Sequence, residues 1–414
     1  MRKYKYLGII ISGLFYFLGL MAQNKADTLN YVPLTFEIYL QEVAESNLQL
    51  LAEKKQINLA EAEVIAAKVL PDPELSFEGA NETYSLELSY PLDIGNKRRA
   101  RVRMAQEEVD KTQLEWDCFF QHLRAEAAFA FVDALVEREL LLVKESSFQN
   151  MYQLSLSDSI RFTLGEITKN DVRQSKLEST LLQNELYQQE ADLKSALVVL
   201  NQYMGKSSED LHYPLGSWDS VNVDYKLSEL LSIALEQRKD LKSVAKSMEL
   251  AQQMLKLIRA ERRLDVGLMI GYERDWKGPF PTGNSIKAGV SIPLKFSNFN
   301  KGSVKAKRIA VERSQYDIKQ AQLQVEVEVT QGYYQYEAAQ KRLKKYQSGM
   351  LDESKKVLDG IIYKYQRGDT SILEVLMAQR SYNEVQEHYI GVMKEYGYAL
   401  IQLQLICGIW TLNF

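Results

Sequence analysis

Chemistry begins with a few residue types, and this sequence is sparing with them. Its three histidines, His122, His212 and His388, lie far apart. Nothing near them suggests the Ser-His-Asp or Cys-His arrangement of a nucleophilic enzyme. Cys118 and His122 are four residues apart, on one face of a helix, which is the start of a metal pair. Two ligands without others make a poor site, so no metal is expected. Gly95-Asn96-Lys97 lacks the spacing of a phosphate loop. The sequence therefore offers no catalytic residues and implies no cofactor and no enzyme. What remains is carboxylate chemistry at two breaks. Asp171 follows Gly165 by six residues, and Glu374 follows Gly368 by six. An acid in the first turn favours a helix N-terminus, and that alone accounts for both.

Composition narrows the class. The chain has 414 residues, a net charge of −4, 26% charged residues and only 8 prolines. With no basic excess, nucleic acid is not an expected partner. Arg2, Lys3 and Lys5 precede an apolar run from Leu7 to Leu20, with Ala22 as a cleavage position. This reads as a signal peptide over 1–22, the alternative being an uncleaved anchor. A run of about 14 residues is short for a membrane helix, which needs about 20. No other stretch is apolar enough to span as a helix, so any further meeting with a membrane must use strands. Cys118 and Cys407 are the only cysteines. Neither follows the cleavage position, so no acylated cysteine is expected there, and a disulfide between them is weakly supported.

The elements that position these residues repeat. Leu88-Ser89-Tyr90-Pro91-Leu92 matches Val290-Ser291-Ile292-Pro293-Leu294, 202 residues on. Leu164-Gly165-Glu166 matches Arg367-Gly368-Asp369, and Met204-Gly205 matches Cys407-Gly408, both 203 residues on. Three anchors at nearly constant offset imply a tandem duplication, with units 23–216 and 217–414. Each unit reads helix, strand, strand, very long helix, break, helix. The first helix of each is expected over Phe36–Leu70 and Tyr225–Arg262. The long helices are expected over about 97–162 and 303–366, and the returning ones over Lys169–Met204 and Thr370–Cys407. A helix of about 100 Å cannot bury its face in one compact core and needs other long helices beside it, as in a coiled coil.

The strands fall at about 74–91 and 264–294. Tyr84, Leu86, Leu88 and Tyr90 alternate with Ser85, Glu87 and Ser89, the period of a strand with one apolar face. Val266, Leu268, Ile270 and Tyr272, and then Ile286, Ala288, Val290 and Ile292, alternate in the same way. Ala80-Asn81-Glu82 and a loop around Gly278 and Pro279 supply the turns. Four short strands at the end of a rod need a cover. A bilayer supplies one, but only to a closed barrel. Four strands are too few to close, whereas three copies give about twelve, within the range of membrane barrels. Tyr84, Tyr90, Tyr272, Trp276, Phe280, Phe296 and Phe299 suit aromatic girdles. The alternative is a soluble hairpin whose apolar face is covered by a helix. The first hairpin is 11 residues shorter than the second, with strands of about eight residues against the usual 9–11.

The order of elements, the duplication, the stretch Tyr90-Pro91-Leu92-Asp93-Ile94-Gly95-Asn96-Lys97-Arg98 leading into a long helix, and the breaks at Gly165 and Gly368 resemble the TolC family of outer-membrane efflux proteins. The stretch 95–101 is similar to the strand-to-helix junction of the CusC/CzcC-like heavy-metal branch. The resemblance covers essentially the whole chain after residue 22. It implies a mainly α fold with a small β part. Long coiled-coil helices form a periplasmic tunnel, and four strands per chain contribute to a trimeric 12-stranded outer-membrane β-barrel.

The same resemblance implies an outer-membrane channel component of a tripartite efflux or type I secretion system, a passive exit duct for small molecules or metal ions. Its partners would be two further copies (a homotrimer), a periplasmic adaptor (membrane fusion) protein, an inner-membrane pump of RND or ABC type, and outer-membrane lipid. The adaptor-docking tips would be Gly165, Glu166, Ile167 and Thr168, with Gly368, Asp369, Thr370 and Ser371. Glycine suits the turn, and Thr168, Asp369 or Thr370 suits the next helix's cap. All of these also read simply as turn residues. Glu374 would supply the acidic ring of the closed aperture, with Asp171 as its repeat partner. Met377 stands where some relatives carry a second acid. A periplasmic helical scaffold or adaptor without a pore is the alternative function.

Overall fold

The computed structural model describes residues 31–80, 83–216, 225–277, 280–293 and 300–412. The expected signal peptide, the turn at 81–82 and the loop at 278–279 lie outside the described residues. The first half runs β1 (Tyr31–Thr35), α1 (Phe36–Ser46), α2 (Leu48–Lys68), β2 (Glu74–Ala80), β3 (Thr83–Leu92), α3 (Lys97–Thr163) and α4 (Lys169–Tyr203). The second half runs β4 (Leu211–Leu215), α5 (Leu227–Gln237), α6 (Lys239–Glu261), β5 (Val266–Lys277), β6 (Phe280–Ser291), α7 (Lys301–Gln347), α8 (Met350–Gln366) and α9 (Ile372–Cys407).

α3 is a single helix of 67 residues, on the order of 100 Å long. Its sequence holds neither proline nor glycine, so nothing interrupts its hydrogen bonds. Asn96 precedes it in the left-handed conformation at φ 57°, and Asn300 precedes α7 likewise at φ 51°. At the first junction the Asp93 carboxylate accepts from the backbone N–H groups of Lys97 and Arg98, at 3.1 and 2.6 Å, and so serves as the cap that Asn96 does not provide. Towards the strands, α3 packs between α2 and α6, and α6 packs on α7. Towards the other end, α3 packs between α4 and α9, and α9 packs on α7 and α8. The rod is thus four helices wide in cross-section at both levels.

Three expected helices are each broken in two. Phe36–Leu70 divides at Asn47, which N-caps α2 by accepting from Leu50 N at 3.0 Å. Its amide also donates to the Tyr203 carbonyl, at 2.9 Å. Tyr225–Arg262 divides at Arg238, whose guanidinium donates to the Ile406 carbonyl at 3.1 Å and to Glu328 at 2.6 Å. The second long helix divides at Ser348 and Gly349, the latter at φ 111°. The first two breaks follow one rule: the end of a returning helix seats against each, Tyr203–Gly205 on the first and Ile406–Gly408 on the second.

β1 and β4 form an unforeseen two-stranded parallel sheet, in register from Tyr31 and Leu211 to Thr35 and Leu215. It sits beside the main core at mid-rod, where Phe36 and Tyr39 of α1 meet Phe131 of α3 at ring separations of 5.2 and 5.5 Å. A second, smaller core of Met151, Leu182, Tyr365, Ile372, Val375 and Leu376 lies at the far end. The four remaining strands form an antiparallel sheet in the order β2-β3-β5-β6. β2 has 7 residues and β3 has 10, while β5 and β6 have 12 each. The first hairpin is therefore the shorter one, as the offsets require, although β3 exceeds the expected length.

Candidate functional site

Two places carry the chemistry of the molecule, one at each end. At the sheet end, strand register assembles the alternating residues into rows. Phe77, Leu86, Tyr272 and Ile286 stand side by side across all four strands, and Leu75, Leu88, Ile270 and Ala288 form the next row. These rows point outward: Phe77 is 69% exposed, Ile270 56% and Ile286 79%. Alternating with them run rows of the other face, Ser76–Glu87–Gly271–Lys287 and Glu78–Ser85–Glu273–Ser285. Glu273 and Lys287 pair on that face. One face is thus a continuous apolar band and the other polar, and among the described residues no helix packs on the band. The soluble-hairpin alternative required such a helix. Of the girdle candidates, Tyr84 and Tyr272 are exposed and Tyr90 is half-buried. The side chains of Trp276 and Phe280, and residues Phe296 and Phe299, lie outside the described residues. No described helix is long and apolar enough to cross a membrane.

At the other end, two helix hairpins turn. The first leaves α3 through Gly165 at φ 79° and returns through Thr168, with Glu166 and Thr168 exposed and Ile167 half-buried. Thr168 and Asp171 form a reciprocal capping box. The Thr168 hydroxyl accepts from Asp171 N at 3.3 Å, and the Asp171 carboxylate accepts from Thr168 N at 3.0 Å. Asp171 is therefore occupied in starting α4, the role its position alone suggested. The second hairpin turns at Gly368, φ 78°, and Ser371 is the N-cap residue of α9, in place of the expected Asp369 or Thr370. Asp369 instead lies 3.8 Å from Arg367. Glu374 is exposed in the first turn of α9, and its carboxylate has no partner among the described residues. Met377 lies one turn on and is 64% exposed.

Between the hairpins lies a contact that sequence reasoning missed. Tyr365, at the end of α8, donates its hydroxyl to the fully buried carboxylate of Asp158 on α3, at 2.9 Å. The Arg161 guanidinium sits 5.0 Å over the Tyr365 ring, donates to its carbonyl at 3.4 Å, and reaches Glu166 at 3.2 Å. Burial pushes the Asp158 carboxyl above its ordinary value, although the hydrogen bond from Tyr365 and the charge of Arg161 act the other way. Burial and then Asp158 push the Tyr365 phenol up. Polar ties continue along the seam. Ser147 donates to Asn383 at 2.8 Å, Lys144 bridges Glu185 and Glu387 at 2.9 and 2.6 Å, and Arg380 pairs with Glu178 at 2.9 Å. Tyr365, the hydroxyl donor to Asp158, is a common residue type 207 positions away, so no local pattern announces the contact.

Elsewhere, Cys118 and His122 line one groove with Arg238, Asp240 and Glu328, but no cluster of three metal-binding side chains occurs among the described residues. Both cysteines are free thiols, their pKa raised by burial to about 11 at Cys118 and about 12 at Cys407.

Comparison with known proteins agrees with this geometry. The family model described as outer membrane efflux protein matches residues 230–409. The cobalt-zinc-cadmium resistance protein CzcC of Cupriavidus metallidurans is 22% identical over 381 residues, 91% of this chain and 90% of that protein. The solved structure of CusC, described by its transmembrane channel formation, superposes with a TM-score of 0.74 at 16% identity, covering 92% of this chain and 93% of that one. The outer-membrane channel OprN superposes with a TM-score of 0.71 at 15% identity, covering 89% of both chains. With an apolar strand band at one end, a long helical rod and paired glycine turns at the other, the chain is similar to the outer membrane efflux proteins, whose family model matches its residues 230–409.

Proposed function

We propose that three copies of this chain form a passive exit duct. The observation that carries this reading is the uncovered apolar band, four strands wide, at one end of a 67-residue helix. An open sheet leaves the outer edges of β2 and β6 unpaired. In lipid such edges must pair, and β6 of one copy meeting β2 of the next closes twelve strands around a bore lined by the polar rows. The rods then continue the bore as twelve helices on the periplasmic side. Residues 1–22 act as a signal peptide that is removed on export, and the two halves descend from a tandem duplication.

The sequence carries no phosphate-loop spacing, and cargo is handed over at the glycine turns. The turn residues 165–168 and 368–371 dock a periplasmic adaptor, which joins the duct to an inner-membrane pump of RND or ABC type. Glu374, unpartnered and exposed, is repeated three times around the closed aperture, where its charge attracts cations. Asp171 supports the helix start beside it. Asp158, Arg161 and Tyr365 latch the two hairpins of each chain together, and opening separates two discrete packings at that contact. Likeness to a cobalt-zinc-cadmium resistance protein favours divalent metal ions as cargo.

Two measurements test this. The detergent-extracted protein should migrate as a heat-modifiable trimer and conduct ions across a planar bilayer; a water-soluble monomer would sink the duct. A deletion strain should become sensitive to cobalt, zinc, cadmium or copper but not to bile salts or dyes. The reverse pattern would remove the metal assignment and leave the duct intact.

A further inference from the structure

Where the strands give way to helices, the surface changes sign. α3 opens with Lys97, Arg98, Arg99, Arg101 and Arg103, and its first turn holds no acid. α7 opens likewise with Lys301, Lys305, Lys307 and Arg308. Cations at the start of a helix oppose its dipole, so helix stability does not explain them at either place. Arg99 and Arg103 line two grooves at once. One groove lies against the end of α2, with Lys68, and the other against the end of α6, with Lys256, Arg259 and Arg263. All of these are exposed residues, and no carboxylate is seen to pair with any of them among the described residues. The acids nearby are already engaged: Asp93 by the backbone of Lys97 and Arg98, and Asp265 by Lys97 at 2.5 Å.

The grooves face away from the bore. Steps of seven residues from Arg103 along α3 give Asp110, Asp117, Arg124, Phe131 and Arg138, one stripe of a coiled coil. On that stripe Phe131 meets Phe36 and Tyr39 of α1, and Arg138 donates to the carbonyls of Pro214 and Gly216 beside β4. A duct cannot carry α1, β1 and β4 in its bore, so this is the outer face. The height also fits. Arg99 and Arg103 lie about 3 and 9 Å along α3 from its start, just beyond the apolar band, and a headgroup layer is about 5–8 Å thick.

We propose that this collar binds the phosphate groups of anionic phospholipids in the leaflet on the helical side, and so sets the depth of the barrel in the membrane. Guanidinium forks match phosphate oxygens, and basic clusters beside a membrane segment collect anionic headgroups. The proposal rests on the exit-duct reading above.

Native mass spectrometry of the intact detergent-extracted oligomer tests it, with phosphatidylglycerol and phosphatidylcholine titrated separately and inorganic phosphate as competitor. Phosphatidylglycerol should be retained in preference, and millimolar phosphate should not displace it. The variant Arg99→Gln/Arg103→Gln/Lys256→Gln/Arg259→Gln should bind phosphatidylglycerol at least tenfold more weakly, with phosphatidylcholine unchanged. Arg99→Lys/Arg103→Lys should keep most of the binding. If the fourfold variant fails to assemble, Arg99→Gln/Arg103→Gln alone should show at least a threefold loss. Equal uptake of the two lipids, or an unaffected variant, overturns the collar. Displacement by phosphate also overturns it, reassigning the grooves to the free anion. A conducting oligomer without lipid preference removes the collar alone, whereas a non-conducting soluble protein removes the duct and the collar together.

Discussion

The hydroxyl of Tyr365 and the carboxylate of Asp158 meet at 2.9 Å across 207 residues of sequence, and they join the end of α8 to α3 just above the tips. Tyr365→Phe keeps the ring and removes the donor, leaving a buried carboxylate short of a partner at a cost of about 1–3 kcal/mol. Longer and more frequent openings in a planar bilayer are expected. Unchanged gating would show that the contact does not hold the tips closed.

The same carboxyl gives the tips a pH dependence. Burial raises the Asp158 pKa despite Tyr365 and Arg161. A group whose folded pKa is raised contributes stability that is fully present below its unfolded value and lost as pH rises through the folded value. Acidification from neutral towards the usual carboxylate range therefore tightens the closed state and lowers the open probability. Asp158→Asn, uncharged throughout, should flatten this response. An open probability that climbs on acidification contradicts the assignment.

Glu374 and Asp171 occupy matching positions but should behave differently. Glu374→Gln should relieve block by divalent cations added on the helical side several-fold, with little change in stability. Asp171→Asn should leave the block alone and cost about 0.5–2 kcal/mol in thermal stability through the capping box. Similar effects of both substitutions on divalent block would refute the distinction.

On the sheet, Ile286→Lys places a charge on the apolar band, where lysine near the bilayer midplane costs about 2–4 kcal/mol. Assembly of the heat-modifiable form should drop sharply. Ser285→Lys, one residue away on the polar face, should assemble normally. A band that faced protein instead of lipid would not discriminate between lysine at these two neighbours in membranes and in detergent.

Gly205 sits at φ +66°, and a Cβ there would lie 2.5 Å from the Ser46 carbonyl oxygen, a backbone atom that cannot swing aside. Gly408 is equally left-handed, but a Cβ there would lie 3.3 Å from the Arg238 nitrogen, a tight contact and not an overlap. Gly205→Ala should therefore lower the melting temperature more than Gly408→Ala; equal losses would mean that only backbone conformation matters.

What the sequence disclosed follows from the reach of its signals. Leu86 and Leu88 alternate with Ser85 and Glu87 because the two faces of a strand are reached by successive residues, and a period of two is visible in any window. α3 was legible because nothing between Lys97 and Thr163 can break a helix. β1 and β4 were not, since Tyr31–Thr35 and Leu211–Leu215 are short, each contains a proline, and their pairing spans 180 residues. The divisions at Asn47 and Arg238 escaped notice for a related reason: their partners, Tyr203 and Ile406, are distant, and neither site carries a proline. Asp158 was invisible in the same way, while Gly165 and Gly368 marked the tips because a left-handed turn leaves its residue type in the sequence.

The interruption at Ser348 and Gly349 makes the two hairpins mechanically unequal. In the first, α3 is one stiff shaft, so rotation applied at its foot is felt as far as the strands. In the second, α8 is jointed to α7 and can pivot without twisting it. Each chain thus sets an unbroken post beside a jointed leaf, and a pivot at that joint would leave the strand end at rest.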